Sequence, residues 1–170
     1  MRWIRYALVL LVFVVLEVSM PAMLRPFGAG PDLLICFTLA LALHADTWRV
    51  FGPIWGIGIV RDVMSLGPFG LWAILIGGGG IVLWFARESL FRHHVLTLIL
   101  TGGAFTFVLG VAALVRLVLA GGTPAMGAAL GRLLVAALLT GALTPLVVKG
   151  LLRTRMVAGF VPRRELEPAP

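Results

Sequence analysis

The sequence predicts an all-α integral membrane protein, six transmembrane helices in one compact bundle. Three observations predict it. Of 170 residues, 61% are hydrophobic and 12% charged, against about 45–50% and 25% in a soluble domain. The apolar residues fall into six runs punctuated by short stretches rich in Gly, Pro and Arg. A span takes roughly 20 residues, so six spans leave no room for a soluble domain. Residues 1–155 are expected to form this single domain. The Pro-rich residues 156–170 are expected to be a disordered cytoplasmic tail.

The first run, Ala7 to Met20, follows Arg2 and Arg5 and resembles the start of a signal peptide. Glu17 interrupts it, and Pro21 to Pro26 offers no small-x-small cleavage site, so it reads as an uncleaved first span. Glu17 is expected to snorkel to the interface, with pairing to a basic group as the alternative. After a turn-rich loop holding Arg25, Pro31 and Asp32 open the second span, Leu33 to Leu43. Proline suits a first helical turn because its missing N–H needs no partner there. Asp32 complements the positive end of the helix dipole. Cys36, the single cysteine, lies in this span and permits no intrachain disulfide.

The third span enters through Gly52-Pro53 and carries Gly52 and Gly56, a GxxxG pair that allows close helix contact. It then places Arg61 and Asp62 within apolar sequence and ends in the turn Gly67-Pro68-Phe69-Gly70. A charge at the centre of a span costs about 2.5–3.5 kcal/mol, so each is expected to have a partner. Sequence neighbours on a helix do not face each other, so the partners lie on other spans. Arg116 and Arg132 are the expected partners of Asp62, which would dock the third span on the last two.

The fourth span, Leu71 to Ala86, holds four consecutive glycines, Gly77 to Gly80. A phosphate-cradling loop would need a strand-to-helix turn and a following Lys-Ser/Thr, so these glycines read as packing sites. His93 and His94 in the next loop share no helix face, and no Cys or carboxylate cluster accompanies them; no metal or other cofactor is expected. The fifth span covers about Val95 to Ala120. The sixth, about Ala128 to Val148, starts beside a second GxxxG pair, Gly127 and Gly131.

The net charge of +7 fits positive residues flanking spans better than a nucleic-acid surface, and no nucleic-acid partner is expected. With six spans, the side holding both termini gets ten Lys and Arg residues and the other side four. Both termini are therefore expected in the cytoplasm. A re-entrant third segment is the rival topology. Asp32 and Asp62 could in principle share a proton as an aspartyl protease dyad. Asp32 has its own capping role, however, and Ser65 lies far from all three histidines. No enzyme is expected.

Two segments carry a family resemblance. Pro31-Asp32-Leu33-Leu34, and the longer stretch from Gly56 to Leu71 with Asp62, Ser65, Gly67, Pro68 and Gly70 in order, resemble MreD, the rod-shape-determining membrane protein family of bacteria. Arg61 before the aspartate departs from that pattern. The resemblance implies a non-enzymatic scaffold of the cell-elongation (rod) complex in the inner membrane, supporting peptidoglycan synthesis and cell shape. The implied partners are MreC, a class B penicillin-binding transpeptidase, RodA and, indirectly, MreB, besides membrane lipid. It also implies a fold similar to the substrate-binding subunits of energy-coupling vitamin transporters. A small-molecule-binding transport subunit is therefore the alternative. The residues singled out are Pro31, Asp32, Arg61, Asp62, Ser65, Gly67, Pro68, Gly70, Arg116 and Arg132.

Overall fold

The computed structural model describes residues 2–19, 29–45, 47–65, 69–88 and 94–153. Six α-helices run through them in the order α1 (Arg2–Ser19), α2 (Leu33–His44), α3 (Phe51–Met64), α4 (Leu71–Ala86), α5 (Val95–Leu119) and α6 (Met126–Arg153). A 3-10 turn, Trp48–Val50, precedes α3. No strand occurs among the described residues. The tail expected to be disordered lies outside them.

The six helices differ widely in length. The 25 residues of α5 and 28 of α6 span about 38 and 42 Å at 1.5 Å per residue. Both are long and apolar enough to cross a membrane. The 12, 14 and 16 residues of α2, α3 and α4 give about 18, 21 and 24 Å, short of the roughly 30 Å hydrocarbon core. Local chemistry sets these ends. Asp32 takes extended backbone and caps α2, so Pro31 precedes the helix and does not sit in its first turn as expected. Ser65 turns to extended backbone after Met64, and Gly70 at φ 98° is the left-handed residue from which α4 departs.

α2 is the axis of the bundle. It packs against each of the other five α-helices, and every residue from Leu33 to His44 is buried. Its sequence is apolar all round, which suits a helix with no face to solvent. Phe37 is fully enclosed and stacks between Tyr6 and Phe13 of α1, with ring centroids 5.9 and 5.1 Å away. Both ends of α2 are satisfied by side chains from other helices. At its C-terminal end the Ala45 carbonyl accepts from Trp84 Nε1 at 2.9 Å and from the Arg87 guanidinium. A cation there also complements the negative end of the helix dipole.

Close backbone approach is concentrated at two seams. A Cβ on Gly58 would come within 2.6 Å of the Ala73 Cα, and one on Gly141 within 2.7 Å of the Ile99 carbonyl oxygen. Small residues thus bring α3 onto α4 and α5 onto α6. Of the GxxxG pairs expected to do this, Gly127 and Gly131 face open space and Gly52 is exposed, whereas Gly56 packs on α1, where a Cβ would come within 3.1 Å of the Tyr6 hydroxyl. Three of the four consecutive glycines pack as expected, Gly77 under the Trp55 ring, Gly79 under Phe105 and Gly80 under Ile54.

α6 fixes the relative heights of the helices. The Asp32 N–H donates to Thr140 Oγ1 at 2.9 Å, so the start of α2 sits halfway along α6. The stretch of α6 before Thr140 runs on for about 21 Å. There Met126, Leu130, Leu134 and Leu138 are exposed, as are Val115 to Leu119 on α5. The outer half of the α5–α6 hairpin stands clear of the four shorter helices.

Candidate functional site

Four ionisable side chains meet where α1 ends, α2 begins, α3 ends and α4 begins. Arg61, in the last turn of α3, directs its guanidinium between two carboxylates. One terminal nitrogen lies 2.7 Å from Glu17 Oε1 and the other 2.5 Å from Asp32 Oδ2. Its guanidinium also lies over the Trp72 ring, 4.8 Å from the centroid. The two carboxylates use their remaining oxygens on α2: Glu17 Oε2 accepts from the Leu34 N–H at 3.2 Å and Asp32 Oδ1 from the Ile35 N–H at 3.0 Å. Two of the N–H groups left orphaned at the start of α2 are thereby satisfied.

Asp62, one residue on, turns to another neighbour. Its Oδ1 accepts from the Trp72 N–H at 2.8 Å, and its Oδ2 from Gly70 at 3.0 Å and Ala73 at 2.9 Å. One carboxylate therefore accepts three of the N–H groups at the start of α4 from the end of the preceding helix. Ser65 Oγ donates back to the Asp62 carbonyl at 3.1 Å and tightens the exit from α3. Asp62 is 3% exposed, so these bonds replace its water.

The helix ends offset part of the excess negative charge and leave about one negative charge uncancelled. Three carboxylates face one guanidinium and the N-termini of α2 and α4, each equivalent to roughly half a positive charge. The cluster is built from pairing and capping, the two ways a buried carboxylate is held.

Several expectations are corrected here. Glu17 does not snorkel away; it pairs with Arg61. Asp62 does not pair with Arg116 or Arg132, because the N-terminus of α4 supplies three donors closer at hand. Arg116 and Arg132 are exposed on the outer half of the hairpin and form no ion pair among the described residues. Gly67 and Pro68 lie outside the described residues, while Pro31, Asp32, Arg61, Asp62, Ser65 and Gly70 do converge. Sequence reading left Glu17, Trp72 and Thr140 out of the site. Glu17 carried a signal, as the one charge inside the first apolar run; Thr140 carried none. No group of three or more His, Cys, Asp or Glu placed to hold a metal occurs among the described residues.

Fold and site together define an all-helical bundle, two of its helices long enough to cross a membrane, locked by one charged cluster. Compared with models of known protein families, with curated proteins and with solved structures, the chain finds no match in any of the three.

Proposed function

We propose that the chain is a multi-pass scaffold subunit of the bacterial cell-elongation complex, of the MreD type, in the inner membrane with both termini cytoplasmic. The observation that carries this reading is the meeting of the two segments that resemble that family. Arg61 joins the Gly56–Leu71 segment to Asp32 of the Pro31–Leu34 segment at 2.5 Å. Within the longer segment, Asp62 closes the turn onto Gly70 and Trp72. Residues that match a family pattern at separate places thus form one structural unit here. Each carboxylate is engaged by donors within the chain, which favours a role in holding helices together over one in catalysis.

In this reading α5 and α6 cross the bilayer, with Lys149 and Arg153 at the cytoplasmic edge. Thr140 is nine residues, or about 14 Å, above Lys149. The cluster then lies near the midplane of a core roughly 30 Å thick. Buried charge at that depth needs internal partners, and it has them.

Affinity purification of the tagged full chain in mild detergent tests the proposal. Recovery of MreC or a penicillin-binding transpeptidase supports it. Recovery of a transporter ATPase pair would replace it with the small-molecule-binding transport subunit.

A further inference from the structure

A cleft of about 590 Å³ opens between α4 and α5, lined among others by Gly79, Val82, Ala86, Ala104, Phe105 and Val108. Val82 and Val108 on its rim are 67% and 61% exposed. The two helices run antiparallel and touch through few residues, chiefly where the Phe105 ring covers Gly79. Small residues on the cleft walls let another backbone come close.

Arg116 completes the surface. It follows Phe105 by eleven residues, about three full turns, so it shares the face of α5 that lines the cleft. It lies about 10 Å outward of Leu109, the outermost lining residue, and is exposed without an ion pair among the described residues. The surface is apolar along its depth and cationic at its outer end.

We propose that this cleft seats a transmembrane helix of a partner protein, apolar through its length, with a carboxylate near its outer end to meet Arg116. The proposal rests on the membrane placement given above. Among the described carboxylates, Glu17, Asp32 and Asp62 are engaged internally and Glu88 lies past the far end of α4, so a second copy offers Arg116 none of them at that level.

The test uses the full chain reconstituted in phosphatidylcholine vesicles and fluorescent single-span peptides of roughly 20 Leu and Ala residues, carrying Glu, Gln or Lys near the outer end. Binding is read by energy transfer to a label on the chain. The Glu peptide is expected to bind about tenfold more tightly than the Gln peptide, and the Lys peptide weakest. Arg116→Gln should remove the Glu preference while leaving the Gln peptide unchanged. Ala104→Leu, which fills the cleft from an exposed position, should weaken both peptides, and Gly131→Leu on α6 neither. Equal binding of all three peptides, or indifference to Ala104→Leu in a variant of unchanged helicity, would overturn the proposal. So would a phospholipid retained in an Arg116-dependent manner and not displaced by the Glu peptide. Alkaline carbonate extraction separates failures: release of the chain from vesicles defeats the membrane placement itself, whereas a retained chain that ignores the peptides defeats only the docking site.

Discussion

The guanidinium of Arg61 lies 2.5 Å from the carboxylate of Asp32, and that contact ties the end of α3 to the start of the central helix. With Glu17 on its other side, Arg61 holds three helices at one point.

Removing the cation alone should be severe. Arg61→Gln leaves Glu17 and Asp32 facing each other without compensation, and breaking such a buried pair costs about 3–5 kcal/mol. Replacing the group as a whole should cost much less: Glu17→Gln, Asp32→Asn and Arg61→Gln together remove every charge, and Asn still caps a helix. Thermal unfolding of the purified variants in detergent checks this. A triple variant as unstable as the single one would show that the charges do more than neutralise one another.

Asp62 gives a different signature. Asp62→Ala orphans three N–H groups of the first turn of α4, a loss of about 1–3 kcal/mol. Hydrogen exchange at Gly70, Trp72 and Ala73 should accelerate while the C-terminal half of α4 stays protected. The double variant Asp62→Arg with Arg116→Asp should be no more stable than Asp62→Arg alone. Rescue in that pair would mean that Asp62 and Arg116 meet.

Glycines should divide by what faces them. Gly141→Leu drives a side chain into the backbone of α5, and overpacking of this kind costs about 1–3 kcal/mol. Gly131→Ala and Gly127→Ala, which face open space, should stay within about 0.5 kcal/mol of the parent. Chemical unfolding in detergent would separate the two groups.

The stacked ring at the centre of the bundle sets the scale for the core. Phe37→Ala should cost about 3–5 kcal/mol. Leu138→Ala, at a position 73% exposed, should cost little in detergent. A similar cost at both sites would mean that Leu138 is covered in the purified protein.

The helical architecture was legible because hydropathy and Gly-Pro punctuation are local signals. Six apolar runs became six helices, and Asp32 became the cap that its place before Leu33 implied. Partner choice was not legible. The sequence showed that Arg61 and Asp62 need different neighbours, but whether those neighbours are side chains or a helix end depends on how α3 crosses α2 and α4. Opposite charges suggested Arg116 and Arg132 for Asp62, whereas backbone N–H groups at a helix start carry no mark in the sequence. Helix bounds were largely legible as well: α4 runs Leu71–Ala86 as read, whereas α6 reaches beyond Ala128 and Val148 at both ends, because an apolar residue reads the same inside a helix and in the turn beside it.

The disparity in helix length has a mechanical consequence. α6 is more than twice as long as α2, so in the membrane placement proposed above the chain would be a wedge with a tall edge at the hairpin and a low edge at α3 and α4. Lipid must thin or tilt along the low edge and can keep its full thickness along the tall one, at a cost of fractions of a kcal/mol per Å. The strain is therefore uneven around the perimeter. A neighbour whose own hydrophobic height matches the tall edge relieves none of it, while a short one settles against the low edge. Under that placement, thickness would sort the neighbours of the bundle before any side chain is read.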